Sequence, residues 1–308
     1  MSTIIAIDHG NSAIKTQSHL FCSGLTEHLV RPPLADELIE YDEKFYTLSS
    51  NRIAYKRDKT KDNRFFILSL FAIAKELKSR QDDAMLHSIT LAVGLPPEHY
   101  GQGRDSFAAY FKRSGSVNFV YNDVAHTITI DKVFVYPQAY AAVVPYADKL
   151  DLRDMPRVFV VDIGGMTVDV MLLRNGKPDL HFCRSLMEGI ITMQNDLIGK
   201  VNALHDMTIE DEHITDVLLS RNTILPDKVK DTIREACRRH AENILDKLRE
   251  LQVDLRANPA IFTGGGSVLL RTFIEKSSLV SAAEFITETN ANAIGYQMLA
   301  NAQMKRLA

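Results

Sequence analysis

The chain has 308 residues, enough for about two domains, and its composition is that of an ordinary globular protein. Its net charge of −3 gives no general attraction to nucleic acid or anionic membranes, so direct DNA binding is not expected. No apolar stretch approaches the roughly 20 residues of a membrane span, and we expect no secretory signal. Three widely separated cysteines argue against a disulfide framework and favour reduced thiols in a cytoplasmic protein.

The first half of the chain predicts strands alternating with helices. The predicted strands lie at 4–8, 13–18, 27–31, 88–95, 117–121 and 127–136. The predicted helices lie at 64–78, 104–113 and 138–145. Gly10-Asn11 joins the first two strands as a hairpin, and Pro137 suits the start of a helix because it lacks an N–H.

A charged stretch and Pro156 then predict a domain boundary. A second hairpin follows at 160–170, and a further strand at 260–263 ends in a glycine turn. The predicted helices of this half lie at 186–201, 226–251, 268–276 and 291–304. Strands alternating with helices indicate an α/β fold, and the hairpins imply mixed rather than purely parallel sheets.

The two hairpins share one pattern: an apolar run, an Asp, any residue, a Gly, then small or polar residues and a second apolar strand. Residues 4–15 and 160–170 follow it. Backbone N–H groups hold a phosphate chain best where glycine allows close approach. The turn residues predicted to do so are Gly10, Asn11 and Ser12 in the first hairpin and Gly164, Gly165, Met166 and Thr167 in the second. Lys15 would add a positive charge.

The Asp before each turn is not expected to bind phosphate directly, because like charges repel. Asp8 and Asp162 make sense if Mg²⁺ lies between them and the phosphates, mostly through water molecules. The third glycine turn, 264–267, ends a strand and opens a helix, which suits backbone contact with a nucleotide.

A single Asp-x-Gly hairpin is more often only a structural turn. Three glycine turns at strand ends, two with the same pattern, favour the functional interpretation. The sequence contains no Gly-x-x-x-x-Gly-Lys-Ser/Thr and no Gly-x-Gly-x-x-Gly at these turns, which disfavours P-loop and dinucleotide folds.

These motifs resemble those of the actin-like ATPase superfamily, which includes heat-shock ATPase chaperones and sugar kinases. The first phosphate motif looks like Asp8-x-Gly10 with Lys15, the second like Asp162-x-Gly164-Gly165-x-Thr167-x-Asp169, and the adenosine motif like 263–266. The two connecting helices would be 137–142 and 292–296. Segments 95–100 and 185–197 are most similar to ParM-type plasmid-segregation actins and their archaeal relatives.

The resemblance implies a ribonuclease H-like duplicated α/β fold, with two domains of mixed β-sheets flanked by helices around a nucleotide cleft. Domain I would be residues 1–157, completed by the C-terminal helix 290–308, and domain II residues 158–289. ATP or ADP would bind with Mg²⁺, which Asp8 and Asp162 would hold through water. The nucleotide-binding residues would be Asp8, Gly10, Asn11, Ser12, Lys15, Gly164, Gly165, Met166, Thr167, Asp169, Gly264, Gly265, Gly266 and Ser267.

One position departs from the pattern of ParM-like proteins, which typically place Glu at the start of the first connecting helix. This chain has Gln138 there, as conventional actin does. Glutamine cannot act as a general base at neutral pH, but it can orient an attacking water. We therefore expect hydrolysis to persist, with Gln138 positioning water and Asp162 assisting.

The resemblance favours an ATP-hydrolysing protein that forms head-to-tail filaments for plasmid segregation and reaches DNA through a separate adaptor protein. Neither direct nucleic-acid contact nor membrane contact is expected. A small-molecule kinase of the sugar-kinase type is an alternative on the same fold, disfavoured by the short chain. A chaperone-like or membrane-adaptor ATPase is a further alternative, disfavoured because no peptide-binding domain or amphipathic membrane helix is evident.

Overall fold

A computed structural model describes residues 2–82 and 84–307 of the chain. The contacts divide the chain into two compact units. Unit 1 consists of Met1–Pro145 together with Asn290–Ala308, and unit 2 is Tyr146–Thr289. Cys22, Cys183 and Cys237 are all free thiols.

The chain first passes from unit 1 to unit 2 between Pro145 and Tyr146, earlier than the boundary expected after residue 157. Leu152 is buried, and the Asn175 N–H donates to the Met155 carbonyl oxygen at 3.0 Å. The charged segment before the second hairpin therefore packs onto that hairpin. This contact places residues 146–157 in unit 2.

Within the described residues, unit 1 contains a nine-stranded mixed sheet. Its strands are β1 (Thr3–His9), β2 (Ala13–Lys15), β3 (Leu20–Cys22), β4 (Leu25–His28), β5 (Leu38–Tyr41), β6 (Lys44–Leu48), β7 (Leu86–Leu95), β8 (Ser116–Tyr121) and β9 (Val124–Pro137). They lie in the order β3-β2-β1-β7-β9-β8-β5-β6-β4. β7 pairs in parallel with β1 and β9, and its residues 89–94 are all buried, as is typical of a central parallel strand that is covered on both faces.

In the part of unit 2 that the structure describes, five strands form a second mixed sheet. They are β10 (Val158–Ile163), β11 (Val168–Arg174), β12 (Lys177–Leu186), β13 (Ala260–Thr263) and β14 (Ala283–Phe285), in the order β12-β11-β10-β13-β14. β10 pairs antiparallel with β11 and parallel with β13. The mixed pairing in both sheets confirms the α/β architecture with mixed sheets.

The helices that pack on these sheets are α1 (Arg64–Ser79), α2 (Pro97–Phe111), α3 (Tyr140–Val143), α4 (Ile190–His205), α5 (Asp211–Leu218), α6 (Asp227–Glu250), α7 (Gly265–Glu275) and α8 (Ala291–Leu307). α1 is buried almost all round, whereas α6 buries one stripe with residues three or four apart, such as Val229, Ile233 and Cys237. α3 and α8 cross closely, since a Cβ on Gly295 would collide with the Ala141 carbonyl oxygen. Of the helices described, none is both long and apolar enough to cross a membrane.

The structure corrects the helix expected over 138–145. α3 begins only at Tyr140, because Ala139 has φ 62° and ψ −56°, far from helical values. Gln138 instead lies in a turn directly after β9, and its N–H donates to the Leu95 carbonyl oxygen at 2.8 Å. α2 also begins earlier than expected, at Pro97, where the missing proline N–H is tolerated.

Candidate functional site

The first glycine turn joins β1 to β2 in unit 1. Asp8, near the end of β1, is 3% exposed and pairs in register with Lys15 of β2. The Lys15 Nζ lies 4.0 Å from Asp8 Oδ2, so an ammonium group stands beside the carboxylate. A Cβ on Gly10 would collide with the backbone across the turn, which explains the glycine. Asn11 and Ser12 form the tip.

Gln138, which directly follows the C-terminal end of β9, contacts the first glycine turn. Its Nε2 donates to Asp8 Oδ1 at 2.9 Å. Its backbone N–H is held by Leu95 at the end of β7, so both the main chain and the side chain of Gln138 have partners. Unit 1 thus places an uncharged amide directly on the buried carboxylate of Asp8.

The second glycine turn joins β10 to β11 in unit 2. Asp162 and Asp169 are buried and pair directly across the two strands. The Gly164 N–H donates to the Thr167 carbonyl oxygen at 2.9 Å and closes the turn. The Thr167 hydroxyl donates to Asp169 Oδ2 at 2.9 Å, so Asp169 fixes the rotamer of Thr167.

The start of α4 fixes the direction of the peptide groups in this second turn. Backbone N–H groups at that helix start donate to the carbonyl oxygens of Gly164, Gly165 and Met166. In a trans peptide the N–H points opposite to the C=O of the same plane. The N–H groups of Gly165, Met166 and Thr167 therefore face away from α4. Gly189 allows the close approach, because a Cβ there would collide with the turn backbone.

The third glycine turn joins β13 to α7 and lies against Asp162. The register pairs Asp162 with Thr263, and a Cβ on Gly264 would collide with the Asp162 carboxylate. Gly264 also has φ 86°, a conformation that favours glycine. The Ser267 hydroxyl donates to the Gly264 carbonyl oxygen at 2.8 Å, so it stabilises the first turn of the helix that begins at Gly265.

The structure therefore collects the predicted site residues into two groups, one in each unit. Unit 1 brings together Asp8, Gly10, Asn11, Ser12, Lys15 and Gln138. Unit 2 brings together Asp162, Gly164, Gly165, Met166, Thr167, Asp169, Gly264, Gly265, Gly266 and Ser267. The first group combines one buried aspartate with one glycine turn, and the second combines two buried aspartates with two glycine turns. The chemical roles of these residues remain predictions.

Lys59 is a neighbour of the first turn that the sequence patterns missed. It begins a short 3₁₀ turn, Lys59–Lys61, and its Nζ donates to the carbonyl oxygen of His9, next to Asp8. The Asp58 carboxylate caps this turn by accepting from the Thr60 N–H at 3.1 Å. A lysine in a charged loop carries no motif, so only the folded chain reveals it.

His9 follows Asp8 in β1 but belongs to the core. Its ring is 1% exposed, stacks on Phe111 with centroids 4.9 Å apart, and hydrogen-bonds Ser69 Oγ at 2.8 Å. Burial, with a smaller contribution from the Lys59 charge, lowers the pKa of His9 to about 3. His9 is therefore neutral at physiological pH and packs against the aromatic core.

Two sequence families match this chain, one in each half. Residues 6–140 match the N-terminal domain of actin-like proteins. Residues 160–276 match the C-terminal domain of the archaeal MreB-like actin homologues. None of the curated proteins compared with the chain matches it significantly.

Solved structures with the same fold cover nearly the whole chain. The archaeal actin homologue Ta0583 in complex with ADP has a TM-score of 0.74 and 16% identity, covering 98% of this chain and 100% of that one. A 15-stranded ParM filament from Clostridium botulinum has a TM-score of 0.74 and 17% identity, covering 98% and 100%. An AlfA filament bound to AMPPNP has a TM-score of 0.62 and 17% identity, covering 100% and 99%.

The two family matches follow one another in the order of an actin-like chain, and the structural likeness extends from end to end. The protein therefore has the actin-like fold, with an actin-like N-terminal domain match over residues 6–140 and an archaeal MreB-like C-terminal domain match over residues 160–276.

Proposed function

We propose that the protein binds ATP with Mg²⁺, hydrolyses it, and polymerises into filaments that separate plasmid copies in the cytoplasm. The observation that carries the proposal is the hydrogen bond between Gln138 and Asp8 at the first glycine turn. It joins an amide that can orient water to a buried carboxylate that suits a hydrated cation. A hairpin with only a structural role needs neither group.

Nucleotide binding would use backbone donors on all three glycine turns. The N–H groups of Gly165, Met166 and Thr167 face away from α4 and suit phosphate oxygens. The first turn would hold phosphates in the same way, with Lys15 adding charge. The Gly264 turn at the start of α7 would contact the nucleoside. The ADP complex of the similar chain Ta0583 supports this assignment.

The residues at the turns also fit Mg²⁺, which prefers oxygen ligands and keeps much of its hydration shell. Asp8 and Asp162 supply carboxylate oxygens at 3% and 8% exposure. Asp8 already has Gln138 and Lys15 as neighbours, so contact through water suits it better than direct ligation. Bound Mg²⁺ would offset the negative charge of the phosphates.

For hydrolysis, Gln138 would hold the attacking water, since its side chain offers both a donor and an acceptor. Its Nε2 donates to Asp8, so its Oε1 is left to accept from that water. Asp162 would assist by accepting the proton of the water through a second water molecule. Glutamine contributes by orientation rather than by taking the proton, as in the small GTPases.

Polymerisation would use apolar side chains that unit 1 leaves in solvent. The loop between β4 and β5 exposes Leu29, Val30 and Leu34 by 80%, 79% and 94%. Large apolar side chains left in solvent within one loop favour an interaction surface. A head-to-tail contact that does not close generates an open filament. The filament structures of ParM and AlfA, which share the fold, support this part of the proposal.

Plasmid segregation would require a second protein. The net charge of −3 does not favour direct contact with DNA, because nucleic-acid binding relies on basic surfaces. We propose that a DNA-binding adaptor links the filament to the plasmid.

The test is sedimentation of the purified protein with Mg²⁺ and either ATP or ADP, followed by electron microscopy of the pellet. We expect filaments with ATP and far fewer with ADP. Leu34→Asp should stay in the supernatant while binding ATP as the wild type does, because the change lies outside the glycine turns. A protein that stays monomeric at high concentration with ATP and Mg²⁺ would refute the filament, and ADP release that depends on a small-molecule acceptor would favour a kinase.

A further inference from the structure

The peptide link between Gln138 and α3 is a strained turn. Ala139 has φ 62° and ψ −56°, and the Tyr140 N–H donates to the Gln138 carbonyl oxygen at 2.6 Å. These values define a three-residue γ-turn of the rare, positive-φ kind. Alanine adopts this conformation only when its surroundings impose it, and such strain concentrates at functional sites.

Asn292 is the side chain that accepts the backbone N–H of the turn residue Ala139. Its Oδ1 accepts the Ala139 N–H at 3.1 Å, and Asn292 itself is 8% exposed as the second residue of α8. Ala139 is fully buried, so its N–H has no access to water. A buried N–H that lost its acceptor would be unfavourable, and the peptide would turn toward another partner.

The close crossing of α3 and α8 keeps Asn292 in place. Gly295 lies against the Ala141 carbonyl oxygen with no room for a Cβ, so the two helices are in close backbone contact. The acceptor that holds Ala139 is therefore carried by a helix that packs closely against α3. Such backing is what a catalytic side chain needs if it is to stay in one orientation.

Gln138 lies directly before the strained residue. Its N–H is fixed by Leu95 and its side chain by Asp8, but its carbonyl group is part of the γ-turn. If Ala139 relaxed to a negative φ, the plane of the 138–139 peptide would rotate. The backbone of Gln138 would then change direction, and its side chain would lose the alignment with Asp8.

We propose that Asn292 is a positioning residue for Gln138, holding the γ-turn at Ala139 so that the Gln138 amide stays on Asp8 and presents its oxygen to the attacking water. This inference rests on the proposed ATP hydrolysis. Asn292 itself contacts no substrate and acts through the backbone on either side of Ala139.

The experiment compares Asn292→Ala, Asn292→Asp and the matched control Asn301→Ala, on the exposed part of the same helix. ATP affinity is measured with a fluorescent nucleotide, and the hydrolysis rate at saturating ATP is measured under polymerising conditions. We expect Asn292→Ala to lower the rate about tenfold with ATP affinity changed less than twofold. Asn292→Asp, which keeps an acceptor for the Ala139 N–H, should retain most of the rate, and the control should match the wild type.

A double-mutant cycle separates positioning from general loosening. In the Gln138→Ala background, Asn292→Ala should change the residual rate less than twofold. A tenfold loss in that background, or a wild-type rate for Asn292→Ala alone, would overturn the inference. If Asn292→Ala does not fold, Asn292→Ser, which is too short to hold the N–H at the same distance, takes its place. A wild-type protein that binds no ATP would refute the proposed function instead.

Discussion

Gln138 Nε2 donates to Asp8 Oδ1 at 2.9 Å, although the two residues are 130 positions apart in the chain. Topology explains the contact. β1 and β9 both pair in parallel with β7, so their carboxyl ends lie at the same edge of the sheet. The two strand ends are two strand spacings apart, roughly 10 Å. A glutamine directly after β9 and an aspartate in β1 can bridge that distance.

Removal of the Gln138 amide should slow hydrolysis without weakening nucleotide binding. Gln138→Ala deletes the group proposed to orient water but leaves the glycine turns intact, so the rate should fall by about 10²-fold while ATP affinity changes less than twofold. Phosphate release measured above the polymerisation threshold checks the rate. Gln102→Ala, an exposed glutamine on α2, serves as the control. Wild-type hydrolysis by Gln138→Ala would contradict the role.

Nucleotide binding by the second glycine turn should depend on Gly189, the residue directly before α4. A Cβ on Gly189 would collide with the backbone of Gly165 and Met166, so Gly189→Ala must displace the turn. We expect ATP affinity to fall at least about tenfold, because the displaced N–H groups no longer align with phosphate oxygens. Fluorescent-nucleotide titration measures this change.

Gly199 provides the matched control for that substitution. It lies within α4, and no atom comes within 4 Å of a Cβ built there. Gly199→Ala should leave ATP affinity unchanged and stabilise the protein by about 0.5–1 kcal/mol, since alanine favours the helix. Equal affinity of the Gly189 and Gly199 variants would show that the second turn does not bind the nucleotide.

The glycine turns could be predicted from the sequence because their signals are local. Alternating apolar residues and an Asp-x-Gly turn specify a hairpin wherever they occur, and both hairpins were placed correctly. The sequence pattern predicts a helix start at Gln138, whereas the positive φ of Ala139 delays the start of α3 to Tyr140. Alanine has no local preference for that conformation. The turn therefore depends on the hydrogen bond from the Ala139 N–H to Asn292, which joins distant parts of the chain.

The elements that periodicity missed are short, polar or both. β5 and β6 are four and five residues long, and their connection uses Asp42 and Glu43, both with positive φ. Such a turn is usually signalled by Asn or Gly, neither of which is present. A charged stretch is typical of a linker and predicts the domain boundary after residue 157, whereas the hydrogen bond from Asn175 to Met155 joins that stretch to unit 2.

Lys59 should contribute charge to the first turn. Its Nζ donates to the His9 carbonyl oxygen, so Lys59→Met keeps the approximate length of the side chain but removes a cation at the backbone between Asp8 and Gly10 in the sequence. We expect ATP affinity to fall several-fold, and the loss to be greater at low salt because charge interactions are screened as salt rises. Nucleotide titrations at two salt concentrations measure both effects.

Lys61→Met removes the same charge from the same 3₁₀ turn. Lys61 is 82% exposed and pairs only loosely with Asp58, at 3.7 Å, so this change should alter ATP affinity less than twofold at either salt concentration. Equal losses in the Lys59 and Lys61 variants would mean that only the net charge of the loop matters.

Stability should decrease as the pH falls below about 6.5, in part because of His9. The folded protein holds the pKa of His9 at about 3, chiefly by burial, whereas the unfolded chain titrates near 6.5. Above pH 6.5 both states are neutral and His9 adds no pH dependence. Between 6.5 and 3 the unfolded state takes up a proton that the folded state excludes, which costs up to about 1.4 kcal/mol per pH unit.

His9→Gln should therefore weaken the pH dependence of stability. Glutamine cannot take up the proton. The slope of unfolding free energy against pH, measured by denaturant titration between pH 7.5 and 5, should therefore fall by the equivalent of up to one proton, about 1.4 kcal/mol per pH unit. His181→Gln, at an exposed position on β12, removes a histidine without changing the core and should leave more of the slope intact. Identical slopes for the wild type and His9→Gln would show that His9 takes up its proton over the same pH range in the folded and unfolded states.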